Sequence, residues 1–456
     1  MKTTTLTLLA AASLSACMSL APAHERPAAP VPAQVGLVPD APLSLPGWRS
    51  YYADARLQTL IDTALKQNRD LRVALLNVEQ AAALARVSDA NRWPTVGVGL
   101  IGNRQPNADG VQVSSYQAGL QVSAYELDLW GRLKNQNEAA QARFLASREG
   151  ARAATLTLVA AVASAHYALQ VDEALLSLTD KTLRSREESH RLMTLRFDQG
   201  AASSLELQGA ISSLESARAA RAQAQRQRAQ DENALVLLLG QPLPADLPAP
   251  SPLADLALAP LAAGVRSEVL LTRPDVRQAE AQLMAASAHI GAARAAFFPA
   301  ITLTTSLGTA SSELSGLFKN TVWSLAVQVL MPIFDAGRNQ ANLQAAKAGQ
   351  GIAVAQYEKA VQQAFREVAD ALSARATLTE QLRAQEAQAA AEGERLRLVE
   401  LRVANGASSS LELLDAQRAS FAAQQLALQV RLASLQVGVQ LYKVLGGGLI
   451  QATTPP

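Results

Sequence analysis

The single thiol is the residue best placed for covalent chemistry. Cys17 follows Leu14, Ser15 and Ala16, after a basic Lys2 and an apolar run from Leu6 to Leu14. That run reads as a secretory signal and is too short to cross a bilayer as a helix. Small residues before a cysteine at this distance fit a bacterial lipobox. There the thiol takes a diacylglyceryl group and the cysteine becomes the new N-terminus. An ordinary signal peptide with an incidental cysteine is the plainer reading of the same residues. Each buried CH₂ contributes ~0.8 kcal/mol, so several acyl chains on Cys17 would anchor the chain without a spanning helix. Met18 stands where an Asp would retain a lipoprotein at the inner membrane, and so points to the outer one.

Other chemistry is thinly represented. One cysteine excludes a disulfide framework and a thiolate metal cluster. The four histidines, His24, His166, His190 and His289, have no paired spacing for a metal. Gly97 to Gly102 spells Gly-x-Gly-x-x-Gly, but a nucleotide site needs that turn between a strand and a helix. Here the glycines fall inside a strand pattern. No Gly-x-Ser-x-Gly elbow or Walker A pattern appears, so neither an enzyme nor a cofactor is expected. With 41 Lys and Arg against 39 Asp and Glu, the formal charge is +2, too small a field for gripping nucleic acid.

These residues sit on a duplicated plan. RFDQGAASSLEL from Arg196 to Leu207 matches RVANGASSSLEL from Arg402 to Leu413, at an offset of 206. DLWGR from Asp128 matches DAGR from Asp335, and WPTV from Trp93 matches FPAI from Phe298. The period is far longer than a solenoid repeat. The expected division is a signal peptide over 1–16, a Pro-rich leader over 17–53, repeats over 54–240 and 265–448, a Pro-rich linker over 241–264, and a tail over 449–456.

Each repeat has the same order. Residues 54–90 and 266–296 carry helical patterns that end ahead of Pro94 and Pro299. Two period-two stretches follow: 94–104 with 115–127, then 301–307 with 323–331. Next come proline-free runs over 132–199 and 338–404, rich in strong helix formers. Each would span about 100 Å as a helix. Gly200 and Gly406 close those runs as left-handed caps, and Ser204 or Ser410 can cap the helix that follows. The last helix, 410–445, carries a 3,4-spaced seam from Leu411 and Leu414 through Arg418 and Phe421 to Tyr442.

The strands are ~10 residues long, enough to cross a bilayer when tilted, and alternate as strands between lipid and water do. Four strands cannot close a barrel, and an open edge is not tolerated in lipid. Several chains must therefore share one barrel, with the long helices projecting from it. A mainly α fold with a transmembrane β part is expected.

On the lipobox, the duplication, the two Asp-to-Gly-Arg turns, the paired GxxSSLE/GxSSSLE segments, LDAQR from Leu414 and LGGG from Leu445, the chain resembles the TolC-like outer-membrane efflux proteins of the lipidated OprM/NodT type. The resemblance implies a homotrimer, with a twelve-stranded β-barrel in outer-membrane lipid joined to a long α-helical periplasmic barrel. It implies passive export of drugs or toxic small molecules. The implied partners are a periplasmic adaptor (membrane fusion) protein and an inner-membrane RND-type transporter. A type I protein-secretion exit duct is the alternative. The resemblance places adaptor contacts at the tips: Gly200, Ser204, Leu205, Gly406, Ser410 and Leu411. Ordinary turn chemistry explains the same residues. It places a periplasmic gate at Leu411, Asp415 and Arg418, one helix face whose repeat-one counterparts for the charged pair, Gly209 and Ser212, are uncharged. An exposed i,i+3 ion pair is the simpler account of Asp415 and Arg418.

Overall fold

The computed structural model describes residues 19–36, 45–253, 256, 258–259, 261 and 264–448. Cys17, the signal peptide and the tail lie outside the described residues. In chain order the elements are β1 (Gln34–Gly36), α1 (Trp48–Tyr51), α2 (Ala55–Gln67), α3 (Arg69–Ala90), β2 (Val96–Pro106), β3 (Gln112–Glu126), α4 (Arg132–Asp198) and α5 (Ser204–Leu239). Then follow β4 (Gly264–Arg266), α6 (Pro274–Ala295), β5 (Ala300–Ser311), β6 (Thr321–Leu330), α7 (Arg338–Ala404) and α8 (Ser410–Val444). The chain forms two compact units, and each draws on both repeats.

The first unit comprises 1–29, 75–150 and 277–360. Its centre is an antiparallel sheet in the order β2-β3-β5-β6. At the middle of the sheet Gly119 faces Gly308. A Cβ on either would collide with the other strand's backbone, so only glycine allows this approach. Past Val122 the β3–β5 register shifts at a bulge, where Ala124 has positive φ. The Asp128 and Asp335 turns start the long helices. Asp128 accepts from the Lys134 amide at 2.7 Å, and Asp335 from the Asn339 amide at 2.9 Å. Trp130 stacks on Phe298 at 4.7 Å and donates to the Pro299 carbonyl. The leader is pinned here too: Ser19 donates to Asn135 at 2.7 Å, and Arg294 to the Leu20 carbonyl at 2.9 Å.

The second unit comprises 30–74, 151–276 and 361–456. Its core gathers Tyr51, Tyr52 and Tyr442, with Tyr51 and Tyr442 stacked at 4.4 Å. Asp54 caps α2 and meets buried His166 at 2.7 Å. The helical stretch expected over 54–90 breaks at Asn68, whose side chain caps α3 through the Leu71 amide. Four strands were expected. Two further short ones, β1 and β4, form a separate antiparallel ladder between the Pro-rich leader and the junction of the linker with the second repeat.

The long helices follow their expected limits to within a residue. α4 contains an apolar window long enough to cross a membrane, but 61% of that window is buried within the protein. It is core rather than span. Within one chain the seam expected along α8 is only partly covered in its first half, where Leu414 and Phe421 are half-buried. There Ala416, Gln417, Ser420 and Ala423 are buried, while Leu411 and Arg418 are exposed. Small residues let neighbouring helices of the chain approach there, which leaves Leu411 and Arg418 at its surface. From Leu435 through Val439 to Tyr442 the seam is buried as expected.

Candidate functional site

Register decides what the sheet can face. Val98, Leu120, Leu307 and Trp323 lie in one row across all four strands. Val96, Val122, Thr305 and Leu325 form the next row on that face. On the opposite face Gly97, Gln121, Ser306 and Ser324 share a row. One face is therefore apolar and the other small and polar. The apolar side chains are open: Val98 is 83% exposed and Trp323 75%. Every residue of the edge strand β6 is exposed. Gly97 to Gly102 lie within β2, which removes them as a phosphate-binding turn.

Two helix-to-helix turns present a second surface. Both end in the same double-bonded cap. The Ala201 amide donates to the Arg196 carbonyl and Gly200 to Phe197; Ala407 donates to Arg402 and Gly406 to Val403. Gly200 has φ +75° and Gly406 φ +70°, and a Cβ on either would meet nothing within 4 Å. Backbone conformation, not crowding, calls for glycine there. The capping role expected of Ser204 and Ser410 belongs one residue earlier. Ser203 accepts from the Glu206 amide and Ser409 from the Glu412 amide, while Ser204 and Ser410 are the first helical residues. The extra serine in each repeat made the two positions indistinguishable by type. Glu206 returns the cap to Ser203 and accepts from the Ser410 hydroxyl at 2.9 Å, which ties one turn to the other. Those bonds, the Ser203 backbone first, hold its carboxyl below the usual range. Leu205 and Leu411 stand out at 83% and 72% exposed.

Beyond the second turn, Asp415 and Arg418 pair at 3.3 Å, as their spacing suggests. The stronger partner is Arg395 on α7, at 2.6 Å from the other carboxylate oxygen. Arg395 also holds Glu392 at 3.0 Å. Arg395 first, then Arg418, holds the Asp415 carboxyl below its ordinary range. Sequence reasoning missed Arg395, although the signal was there. It lies about as far before Gly406 as Asp415 lies after it, and such residues face each other in an antiparallel helix pair. Among the described residues no cluster of three or more His, Cys, Asp or Glu could hold a metal.

Comparison with known proteins agrees with this geometry. The family described as "Outer membrane efflux protein" matches residues 60–241 and 265–447, one copy per repeat. The chain is 43% identical to the solvent efflux pump outer membrane protein SrpC of Pseudomonas putida, over 98% of this chain and 99% of that one. It is 44% identical to the outer membrane protein OprJ of Pseudomonas aeruginosa, over 97% of this chain and 95% of that one. Among solved structures, the open state of the Neisseria gonorrhoeae MtrE outer membrane channel superposes with a TM-score of 0.87 at 42% identity, covering 96% of this chain and 100% of that one.

Proposed function

The chain belongs to the outer membrane efflux protein family and is a non-enzymatic outer-membrane component of an efflux pump, and from that premise we propose that three copies share one barrel and pass toxic small organic molecules outward. The observation that carries the shared barrel is the sheet itself. It has an apolar face, a polar face and two open edges, β2 and β6. An open edge in lipid leaves backbone groups unpaired, at a cost on the order of several kcal/mol each. Joining β6 of one copy to β2 of the next removes every edge. Three such joins give twelve strands, with the polar face turned to an aqueous lumen. Solvents and antibiotics, named for several relatives, define the cargo class.

The turns at Gly200, Ser204 and Leu205 and at Gly406, Ser410 and Leu411 then serve as the periplasmic tips that meet an adaptor. That adaptor couples the duct to an inner-membrane RND-type transporter. Rigid caps hold the exposed Leu205 and Leu411 for an apolar contact. Leu411, Asp415 and Arg418 form the gate, latched by Arg395. Lipidation at Cys17 adds an anchor to outer-membrane lipid. Ser19, two residues on, is fixed to Asn135 in the unit that carries the sheet, which would deliver the acyl chains beside the lipid-facing strands.

Electron microscopy of the detergent-purified particle tests the assembly. A three-fold hollow cylinder is expected, and a compact monomer without a lumen would overturn it. Restoring solvent and antibiotic tolerance to a host lacking its own outer-membrane channel tests the cargo. Restored protein secretion without restored tolerance would favour a secretion duct.

A further inference from the structure

One cavity beside the second turn and the Asp415 latch holds a buried charge that no anion among the described residues balances. α4, α5 and α8 line a half-open cavity of about 410 Å³; its polar wall includes Thr179, Thr182, Arg186, Ser212, Ser216 and Arg418, and Leu411, Leu414 and Phe421 make much of the rest apolar. Arg186 is only 4% exposed. Its Nη1 donates to the Gln417 side-chain oxygen, and the Gln417 amide donates in turn to Ser185 at 3.3 Å and Ser189 at 3.5 Å. That partner is neutral. No carboxylate among the described residues pairs with Arg186. The charge that acts on it is a second cation, Arg418. Burial first, then Arg418, pushes the Arg186 guanidinium down to about 10, so it remains a cation at neutral pH.

A guanidinium carries five N–H donors in a planar fork. Gln417 takes one, which leaves the rest of the fork to the cavity it lines. Burying a charge without a partner is costly, and proteins rarely retain the arrangement unless something pairs with it. Oxyanions suit this fork because their two oxygens match two parallel N–H groups. The hydroxyls of Thr179, Thr182, Ser212 and Ser216 supply further donors of adjustable direction. Acids on the same three helices are engaged elsewhere: Asp180 by Arg221 at 2.5 Å, Glu215 by Arg218 at 2.7 Å, and Asp415 by Arg395 at 2.6 Å and Arg418 at 3.3 Å.

We propose that this cavity is a binding site for a small oxyanion, a carboxylate or phosphate group held by the Arg186 fork, with the Thr and Ser hydroxyls completing its shell; Arg418, on the exposed side, is already paired with Asp415 at 3.3 Å. The volume admits a short dicarboxylate as readily as inorganic phosphate. The site adjoins the gate proposed above through Arg418 but does not depend on it.

Titration calorimetry on the full-length purified protein, with succinate and with inorganic phosphate in low-chloride buffer, tests the proposal. Saturable binding at one site per chain is expected. Stronger binding of succinate would identify a carboxylate as the natural occupant, and stronger binding of phosphate a phosphoryl group. Arg186→Gln should weaken binding about tenfold or more, as loss of a charge-assisted fork does. Arg186→Lys keeps the charge and loses the fork, so it should weaken binding severalfold and carries the test if the glutamine variant does not assemble. Arg191→Gln is the control: Arg191 is exposed on the same helix and paired with Glu188 at 2.7 Å. Its affinity should match the wild type. No saturable uptake of either anion by the wild type would overturn the proposal, as would equal affinity in the Arg186 variants.

Discussion

Asp415 holds two guanidiniums at once, Arg395 at 2.6 Å and Arg418 at 3.3 Å. Exposed pairs of this kind contribute little to stability, so their importance lies in tethering α7 to α8 next to the second turn. Asp415→Ala should raise the closed-state conductance in planar bilayers severalfold. Arg395→Gln should reproduce part of the rise, because it frees the same carboxylate; unchanged conductance in both would remove the gate from this position. The pH dependence has a definite sign. A carboxyl held below its ordinary value keeps its bridges as pH falls through that value and loses them only below it. Wild-type conductance should stay flat from neutral pH down to about 4 and rise below. Asp172 behaves oppositely. Burial first, then Asp231 beside it, pushes its carboxyl up to about 7. Between the ordinary carboxylate range and that value the folded chain holds a proton that the unfolded chain has lost. Stability therefore falls as pH rises across that window. Melting of the purified protein at pH 5 and 8 should show this drop, and Asp172→Asn should flatten it.

At the scale of elements, the caps decide where each turn ends and each helix begins. Because Ser203 accepts the Glu206 amide and Ser204 does not, Ser203→Ala should cost about 1 kcal/mol and Ser204→Ala close to nothing. Hydrogen exchange at the first turn of α5 would read the difference; equal exchange in both variants would show that the cap is misassigned. Gly200→Ala should cost about 1–2 kcal/mol through its left-handed backbone alone, since its Cβ meets nothing. The long helices were legible in sequence because neither contains proline, strong helix formers outweigh their few glycines, and an αL glycine follows each. The strands were legible because one face is apolar and the other polar. What was not legible has a common cause. The break at Asn68, the β1–β4 ladder and the Arg395 latch depend on side chains or backbone brought together from distant parts of the chain. The α8 seam is only partly covered within one chain because large apolar residues are buried only where a neighbour covers them. In its first half small residues fill the contact instead.

For the whole molecule, the duplication predicts how one copy meets the next. Val96 pairs with Val122 in the first hairpin. Adding 205 and 207 to these positions gives Ile301 and Val329, which pair in the second hairpin. β2 and β5 are thus equivalent at one offset, and β3 and β6 at the other. Within the chain β3 meets β5 through Leu120 with Leu307 and Val122 with Thr305. The same offsets carried across a subunit boundary place Val327 opposite Gly102 of the next copy, and Val329 opposite Leu100. All four positions share the parity of the apolar face, so this register keeps lipid-facing residues together around a closed ring. Cys17 is the one native thiol, so introduced pairs can be read cleanly. Val329→Cys combined with Leu100→Cys, and Val327→Cys with Gly102→Cys, should give covalent dimers and trimers on mild oxidation, with neither single variant doing so. Val329→Cys combined with Ile101→Cys points the two thiols to opposite faces and should not link. Cross-linking of that slipped pair in place of the in-register pairs would show that the boundary between copies does not repeat the join inside each chain.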